Sequence, residues 1–95
     1  MSVIHEVKTI EPFFSDVRSG KKLFELRKND RNYTVGDFMR HNQFVNGELT
    51  GLECYTEITY FLQGFAGLQE GYCILGIKLC AKEQIQHNAI KSEAE

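Results

Sequence analysis

The segment from Leu52 to Leu62 is the longest run of the sequence in which side chains alternate strictly between two faces. This period of two is typical of a β-strand. One face is predicted to hold Leu52, Cys54, Thr56, Ile58, Tyr60 and Leu62, and the other Glu53, Tyr55, Glu57, Thr59 and Phe61. Aromatic side chains fall on both faces, which favours a curved strand in a small barrel over a flat, exposed sheet.

Shorter patterns predict the other elements of the fold. Pro12 suits the first turn of a helix and Gly20 suits its left-handed cap, and Asn46-Gly47 is typical of a hairpin turn. Strands are predicted at Val3–Ile10, Leu23–Lys28, Phe38–Val45 and Tyr72–Leu79. Together these elements predict a mixed α+β, mainly β fold, a small barrel of five to six strands with one N-terminal helix.

The length of 95 residues suits one domain, and the hydrophobic fraction of 42% is enough for one small core. The composition becomes polar near the C-terminus. We therefore expect the barrel domain at residues 1–80. Residues 81–95 are expected to form a polar tail, either a frayed helix or a disordered segment.

Charge is distributed unevenly along the chain. The formal net charge of −2 argues against a general electrostatic binder of nucleic acid. The segment 18–31 nevertheless concentrates basic side chains, which are Arg18, Lys21, Lys22, Arg27, Lys28 and Arg31, against the acids Glu25 and Asp30. A local basic patch on an acidic protein is compatible with a specific anionic ligand.

The three cysteines, Cys54, Cys73 and Cys80, are odd in number and lie among apolar residues. This usage indicates reduced, inert thiols in a cytoplasmic protein. The N-terminus lacks the apolar stretch of a signal peptide, and no apolar run reaches membrane length, so no membrane partner is expected. The histidines are scattered without zinc-site spacing, and no phosphate-loop or dinucleotide motif is present, so neither a metal nor a cofactor is expected.

The predicted strand Leu23–Lys28 carries the main candidate site. Glu25 and Arg27 share one face of this strand, so both side chains could enter one cleft. Arg27 would bind a phosphate or a base edge, and Glu25 would orient it or accept a donor from a base. A structural ion pair at the barrel mouth is the equally weighted alternative. Strict alternation would put Lys22 on the opposite face of the strand. Its side chain enters the same cleft as Glu25 only if the strand starts at Leu23 or contains a bulge.

Four further residues are candidate ligand contacts. Asn29, Asp30 and Arg31 offer amide, carboxylate and guanidinium groups to a nucleotide, although Asn29 and Asp30 fit turn chemistry better. Tyr72 follows a glycine at a strand start and could stack on a base at the cleft mouth.

The segment Gly20-Lys21-Lys22-Leu23-Phe24-Glu25-Leu26-Arg27 fits the pattern Gly, any residue, Lys, two residues, Glu, any residue, Arg. With its flanking blocks it resembles the ASCH domain family of the PUA-like superfamily, in particular a group of short, largely uncharacterised bacterial and phage proteins. The resemblance covers Val3 to Leu79. It implies a small barrel with a cleft lined by the motif residues, and RNA or a nucleotide as the ligand.

One branch of that family hydrolyses the acetyl group of N4-acetylcytidine. Its lysine matches Lys22, a threonine stands at the position of Glu25, and a glutamate comes from later in the chain, for which Glu70 is a candidate here. The resemblance thus implies an alternative function as a small nucleoside amidohydrolase, with Lys22 and Glu25 as catalytic candidates. A protein-interaction module without a nucleic-acid role is a further alternative, and the sequence leaves the oligomeric state open.

Overall fold

The computed structural model describes residues 2–85 and 89–91. Their elements in chain order are β1 (Ser2–Thr9), α1 (Phe13–Arg18), β2 (Phe24–Lys28), β3 (Phe38–Val45), β4 (Glu48–Gln63), β5 (Tyr72–Cys80) and β6 (Ala89–Lys91), with a 3-10 turn at Lys82–Gln84. The fold is therefore mainly β with one short helix, as predicted. The predicted turn residues also have the expected backbone, since φ is 81° at Gly20, 51° at Asn46 and 82° at Gly47.

All six strands belong to one sheet with the order β2-β5-β4-β3-β1-β6. β1 runs parallel to β3 and β6, whereas the β2–β5, β5–β4 and β4–β3 pairs are antiparallel. The sheet curls until β2 approaches β1. Side chains bridge this gap: Arg27 donates to the carbonyl of Lys8 at 3.2 Å, and Arg31 donates to the carbonyl of Glu6. The predicted small barrel is therefore a half-barrel: among the described strands no backbone ladder joins β2 to β1, and guanidinium groups bridge the gap instead.

Two apolar clusters lie on opposite faces of the sheet. The inner cluster contains α1 through Phe14 and Val17, packed against inward side chains of the strands, which include Val7, Met39, Cys54, Ile58, Cys73, Leu75 and Ile77. The smaller outer cluster contains Phe38, Tyr55 and Ile85. Alternation along β3 and β4 assigns the neighbouring residues Phe38 and Met39, and Cys54 and Tyr55, to different clusters, as the period of two requires.

The outer cluster corrects the prediction of a polar tail for the described part of residues 81–95. Ile85 is buried in this cluster, directly after the 3-10 turn. Ala89–Lys91 then pair with Ser2–Ile4 of β1 as a sixth strand. Ile85 therefore belongs to the outer cluster, where it gains apolar burial, and Ala89–Lys91 form a strand of the sheet and neither an α-helix nor an independent tail. The rest of the predicted tail, 86–88 and 92–95, lies outside the described residues.

A bulge in β4 changes which face its side chains occupy. The register with β5 shifts between Ile58 and Tyr60. The predicted alternation holds for Cys54, Thr56 and Ile58, which are buried, but Tyr60 is 64% exposed and Phe61 packs against the core. The predicted faces of Tyr60 and Phe61 were therefore wrong. Gly76 makes this bulge possible, because a Cβ there would lie 2.8 Å from the Cβ of Tyr60.

No helix among the described residues has the length and apolar character needed to cross a membrane. Within the same residues, no three His, Cys, Asp or Glu side chains are grouped so that they could hold a metal ion.

Candidate functional site

The turn between α1 and β2 places Lys22 beside Glu25. The backbone N–H groups of Lys21 and Lys22 both donate to the carbonyl of Asp16 at 2.9 Å, which ties the turn to the helix. β2 begins at Phe24, so Lys22 precedes the strand and is not bound by its alternation. The ammonium of Lys22 therefore reaches the face that holds Glu25 and Arg27, which resolves the parity conflict in the sequence.

Glu25 is a buried carboxylate held by two cations. It is 3% exposed. Its Oε2 accepts a hydrogen bond from Lys22 Nζ at 2.9 Å, and its Oε1 accepts one from Arg27 Nε at 3.1 Å. Burial alone would raise the pKa of Glu25, but interactions with the protonated form of His41, with Arg27 and with Lys22 outweigh it and lower the pKa. Glu25 is therefore ionised at neutral pH, and its cluster with the two cations carries a net positive charge.

These three side chains line a cleft of about 480 Å³. The cleft lies beside β2, at the gap between β2 and the end of β1. Its other lining residues are Lys8, Thr9, Ile10, Phe13, Phe24 and Leu26. The volume is that of a site for a small organic ligand. The half-barrel therefore has a cleft with charged groups and apolar walls where its sheet does not close.

Two phenylalanine rings flank the ammonium of Lys22. Its Nζ lies 4.8 Å from the ring centroid of Phe24 and 5.5 Å from that of Phe13. Both distances are within the range of cation–π attraction. The rings are also accessible, because Phe13 is 45% and Phe24 51% exposed. The cleft thus offers flat apolar surfaces next to its charged groups.

A buried histidine lies behind the cleft. His41 is 0% exposed, and its ring nitrogens are bonded to the hydroxyls of Thr9, at 3.2 Å, and Thr56, at 2.9 Å. Burial lowers the pKa of His41 to about 4, although the charge of Glu25 opposes this shift. His41 is therefore neutral at pH 7 and fixes the hydroxyl of Thr9, which lines the cleft.

His41 and Thr9 are the polar residues of the site that the sequence analysis missed. A signal existed, because both occupy inward positions of strands that were correctly located. A polar residue at an inward position needs a hydrogen-bond partner. The identity of that partner depends on the pairing of β1 with β3, which no local pattern specifies.

The remaining predicted site residues are not part of the cleft lining. Asn29 bonds the carbonyl of Gly71 through its N–H and the side chain of Gln63 through Nδ2 at 2.7 Å, which is a structural role at the end of β2. Asp30 and Arg31 follow it, and Arg31 donates to the carbonyl of Glu6. Tyr72 is paired with Lys28 in the β2–β5 ladder. The structure thus brings together Lys22, Glu25 and Arg27 in the cleft lining, which does not include Asn29, Asp30, Arg31 or Tyr72.

The cysteines are free thiols, and burial raises the pKa of all three. The pKa of Cys54 rises to about 11. The thiols are therefore protonated at neutral pH, which agrees with the expectation that they are inert.

Comparison with known proteins identifies relatives without a known activity. The chain is 44% identical over 59 residues to "Uncharacterized 12.9 kDa protein in GpA 3'region" of Escherichia phage P2, a stretch that covers 62% of this chain and 54% of that protein. The chain thus spans about half the length of this curated relative. Residues 4–77 match a family described as "Domain of unknown function (DUF3850)". This match runs from the greater part of β1 to the greater part of β5, and the chain belongs to the DUF3850 family.

Proposed function

We propose that this protein binds RNA or a nucleotide in the cleft beside β2. The observation that carries the proposal is the arrangement of two cations on one buried carboxylate between two accessible aromatic rings. Lysine and arginine donate charge-assisted hydrogen bonds to phosphate oxygens. Aromatic rings stack on bases with little dependence on sequence. A nucleotide combines an anionic group with a flat base, and so it matches both features.

The cations retain donors for such a ligand. In the described contacts, the ammonium of Lys22 donates to Glu25 and to the carbonyl of Phe24, at 2.9 and 2.7 Å. The guanidinium of Arg27 donates through Nε to Glu25 and through Nη2 to the carbonyl of Lys8. Each group carries more N–H donors than these contacts use. A bound anion would therefore add hydrogen bonds without breaking the cluster.

The same features support assignment of the fold to the ASCH group of PUA-like barrels. A curled, mainly β sheet with one short helix agrees with that architecture. The motif residues Lys22, Glu25 and Arg27 line one cleft, as the resemblance implies. The placement of this fold in the ASCH group is therefore part of the proposal, as is the identity of the ligand.

We expect Lys22→Ala to weaken binding of short single-stranded RNA roughly tenfold, because one charge-assisted contact is lost. Lys21→Ala is the matched control. It removes the same charge from the adjacent residue, which is exposed and lies outside the cleft lining. This control is expected to change the affinity by less than about twofold, because an exposed charge contributes little free energy to an interaction. Fluorescence anisotropy at several salt concentrations measures both affinities.

Two results would contradict this proposal. Equal losses in the two lysine variants would indicate diffuse attraction to a basic surface and not a cleft. Absence of binding to both RNA and free nucleotides would remove the proposed function and favour a protein-interaction module, for which the exposed side chains of Leu23, Phe24 and Leu26 provide an apolar surface.

Hydrolysis of N4-acetylcytidine to cytidine and acetate is the second candidate function. The contact of Lys22 with Glu25 at 2.9 Å favours it, because a lysine and a carboxylate in one cleft can transfer protons to and from a bound amide. We expect wild-type protein to release cytidine, Lys21→Ala to retain this activity and Lys22→Ala to lose it. Chromatography of the nucleosides over time measures turnover. If the wild-type protein forms no cytidine, the hydrolase proposal is wrong, while binding is judged separately.

A further inference from the structure

We propose that the cleft selects uracil or thymine bases over cytosine, adenine and guanine, an inference that rests on the proposed nucleotide-binding function. The basis is the order of the polar groups along the cleft. Lys22 contacts one oxygen of the Glu25 carboxylate and Arg27 contacts the other, so the carboxylate lies between the two cations.

The three groups differ in hydrogen-bonding character in a fixed order. An ammonium and a guanidinium can only donate, and an ionised carboxylate can only accept. The lowered pKa of Glu25 keeps its carboxylate in this accepting form. A ligand that meets Lys22, Glu25 and Arg27 in turn therefore encounters a donor, an acceptor and a donor.

The imide edge of uracil is the complement of this order. It presents a carbonyl oxygen, an N–H and a second carbonyl oxygen, so the N–H can donate to Glu25 while the oxygens accept from the two cations. Cytosine and adenine place an unprotonated ring nitrogen at the centre, which would set a lone pair against the carboxylate. Guanine directs an amino group at one of the cations. Each mismatch sets a lone pair against the carboxylate or an N–H donor against a cation, and such repulsion lowers the affinity for the wrong base.

The rest of the cleft supports contact through a base edge. The side chain of Glu25 is only 4% exposed, whereas those of Lys22 and Arg27 are 16% and 25% exposed, so the acceptor lies deeper in the cleft than the two donors that flank it. The hydroxyl of Thr9, which also lines the cleft, is already bonded to His41. The rings of Phe13 and Phe24 provide the apolar surface for the base face.

The test compares ligands on wild-type protein, so it does not depend on any variant folding. Calorimetry would be performed with uridine and cytidine 5′-monophosphates and with hexamers of uridylate and cytidylate. Within each pair the phosphate count is the same, so a difference reports the base. We expect the uracil member of each pair to bind roughly tenfold tighter or more, the loss expected when a hydrogen bond to a charged group is replaced by a mismatch. 3-Methyluridine 5′-monophosphate, which lacks the central N–H, is expected to bind as weakly as the cytidine compound.

A variant tests the role of Glu25 directly. Glu25→Gln replaces a pure acceptor with a group that can also donate, so we expect the preference for uracil over cytosine to fall to within about threefold. Glu48→Gln makes the same chemical change at an exposed residue outside the cleft lining, and it should leave the preference unchanged.

The outcomes separate this inference from the proposed function. Equal affinity within both ligand pairs, or tighter binding of the cytosine members, overturns base selection and leaves nucleotide binding intact. Absence of binding to all four ligands overturns both. A preference for uracil that persists in Glu25→Gln overturns the assignment of the central acceptor to Glu25.

Discussion

Replacement of Phe14 with alanine is expected to lower the free energy of unfolding by about 3–5 kcal/mol, as for other fully buried phenylalanines. Phe14 is 1% exposed and lies in the inner cluster with Val17. α1 has six residues, which is too short for a helix to be stable by itself, so packing of these two side chains holds it in place. Urea unfolding followed by circular dichroism measures the loss.

The neighbouring residue provides a matched control. Phe13→Ala removes the same side chain from the same helix, but Phe13 is 45% exposed and lines the cleft. Its stability cost is expected to stay below about 1 kcal/mol, in the range of exposed substitutions. Its effect on nucleotide binding should be larger, about 1–3 kcal/mol for one lost stacking contact. Equal destabilisation by the two variants would show that Phe13, on the cleft side, stabilises α1 as much as Phe14 does on the core side, contrary to the packing described above.

Acidification is expected to destabilise the protein through His41, by about 3 kcal/mol between pH 6.5 and pH 4. Burial lowers the pKa of His41 to about 4, from an ordinary value of 6.5. Between these two values the unfolded chain binds a proton at this residue and the folded chain does not. Stability therefore falls as the pH falls through this window, and His41 adds no pH dependence above it.

The pH range in which His41 changes the stability can be separated from the range in which Glu25 does. The pKa of Glu25 is lowered from 4.5, so its stabilisation is complete above that value and is lost as the pH falls through the folded pKa. Urea unfolding at pH 7, 6 and 5.5 thus reports His41 before Glu25 titrates. His41→Gln keeps a donor and an acceptor for Thr9 and Thr56, and it should flatten the response in this range. An unchanged slope in His41→Gln would mean that another group is responsible.

Local sequence determined where most elements of this protein begin and end. Alternation placed β2 and most of β4, because burial on one face of a strand repeats every second residue whatever the neighbouring strand is. Asn46-Gly47 and Gly20 placed a hairpin and a helix end, because positive φ angles favour these residues. The same local order put Glu25 and Arg27 on one face of β2, so the charged part of the cleft could be predicted.

Only the tertiary structure decided how these elements combine into a site. The bulge opposite Gly76 reversed the faces of Tyr60 and Phe61, and the pairing of β1 with β3 brought His41 to Thr9. The gap between β2 and β1 forms the cleft, and Arg31 donates a hydrogen bond across the gap to the carbonyl of Glu6. These contacts join residues far apart in the chain, and their formation depends on the curl and register of the whole sheet. The sequence by itself therefore determined the strands and the charged motif, whereas the sheet decided which side chains the motif meets.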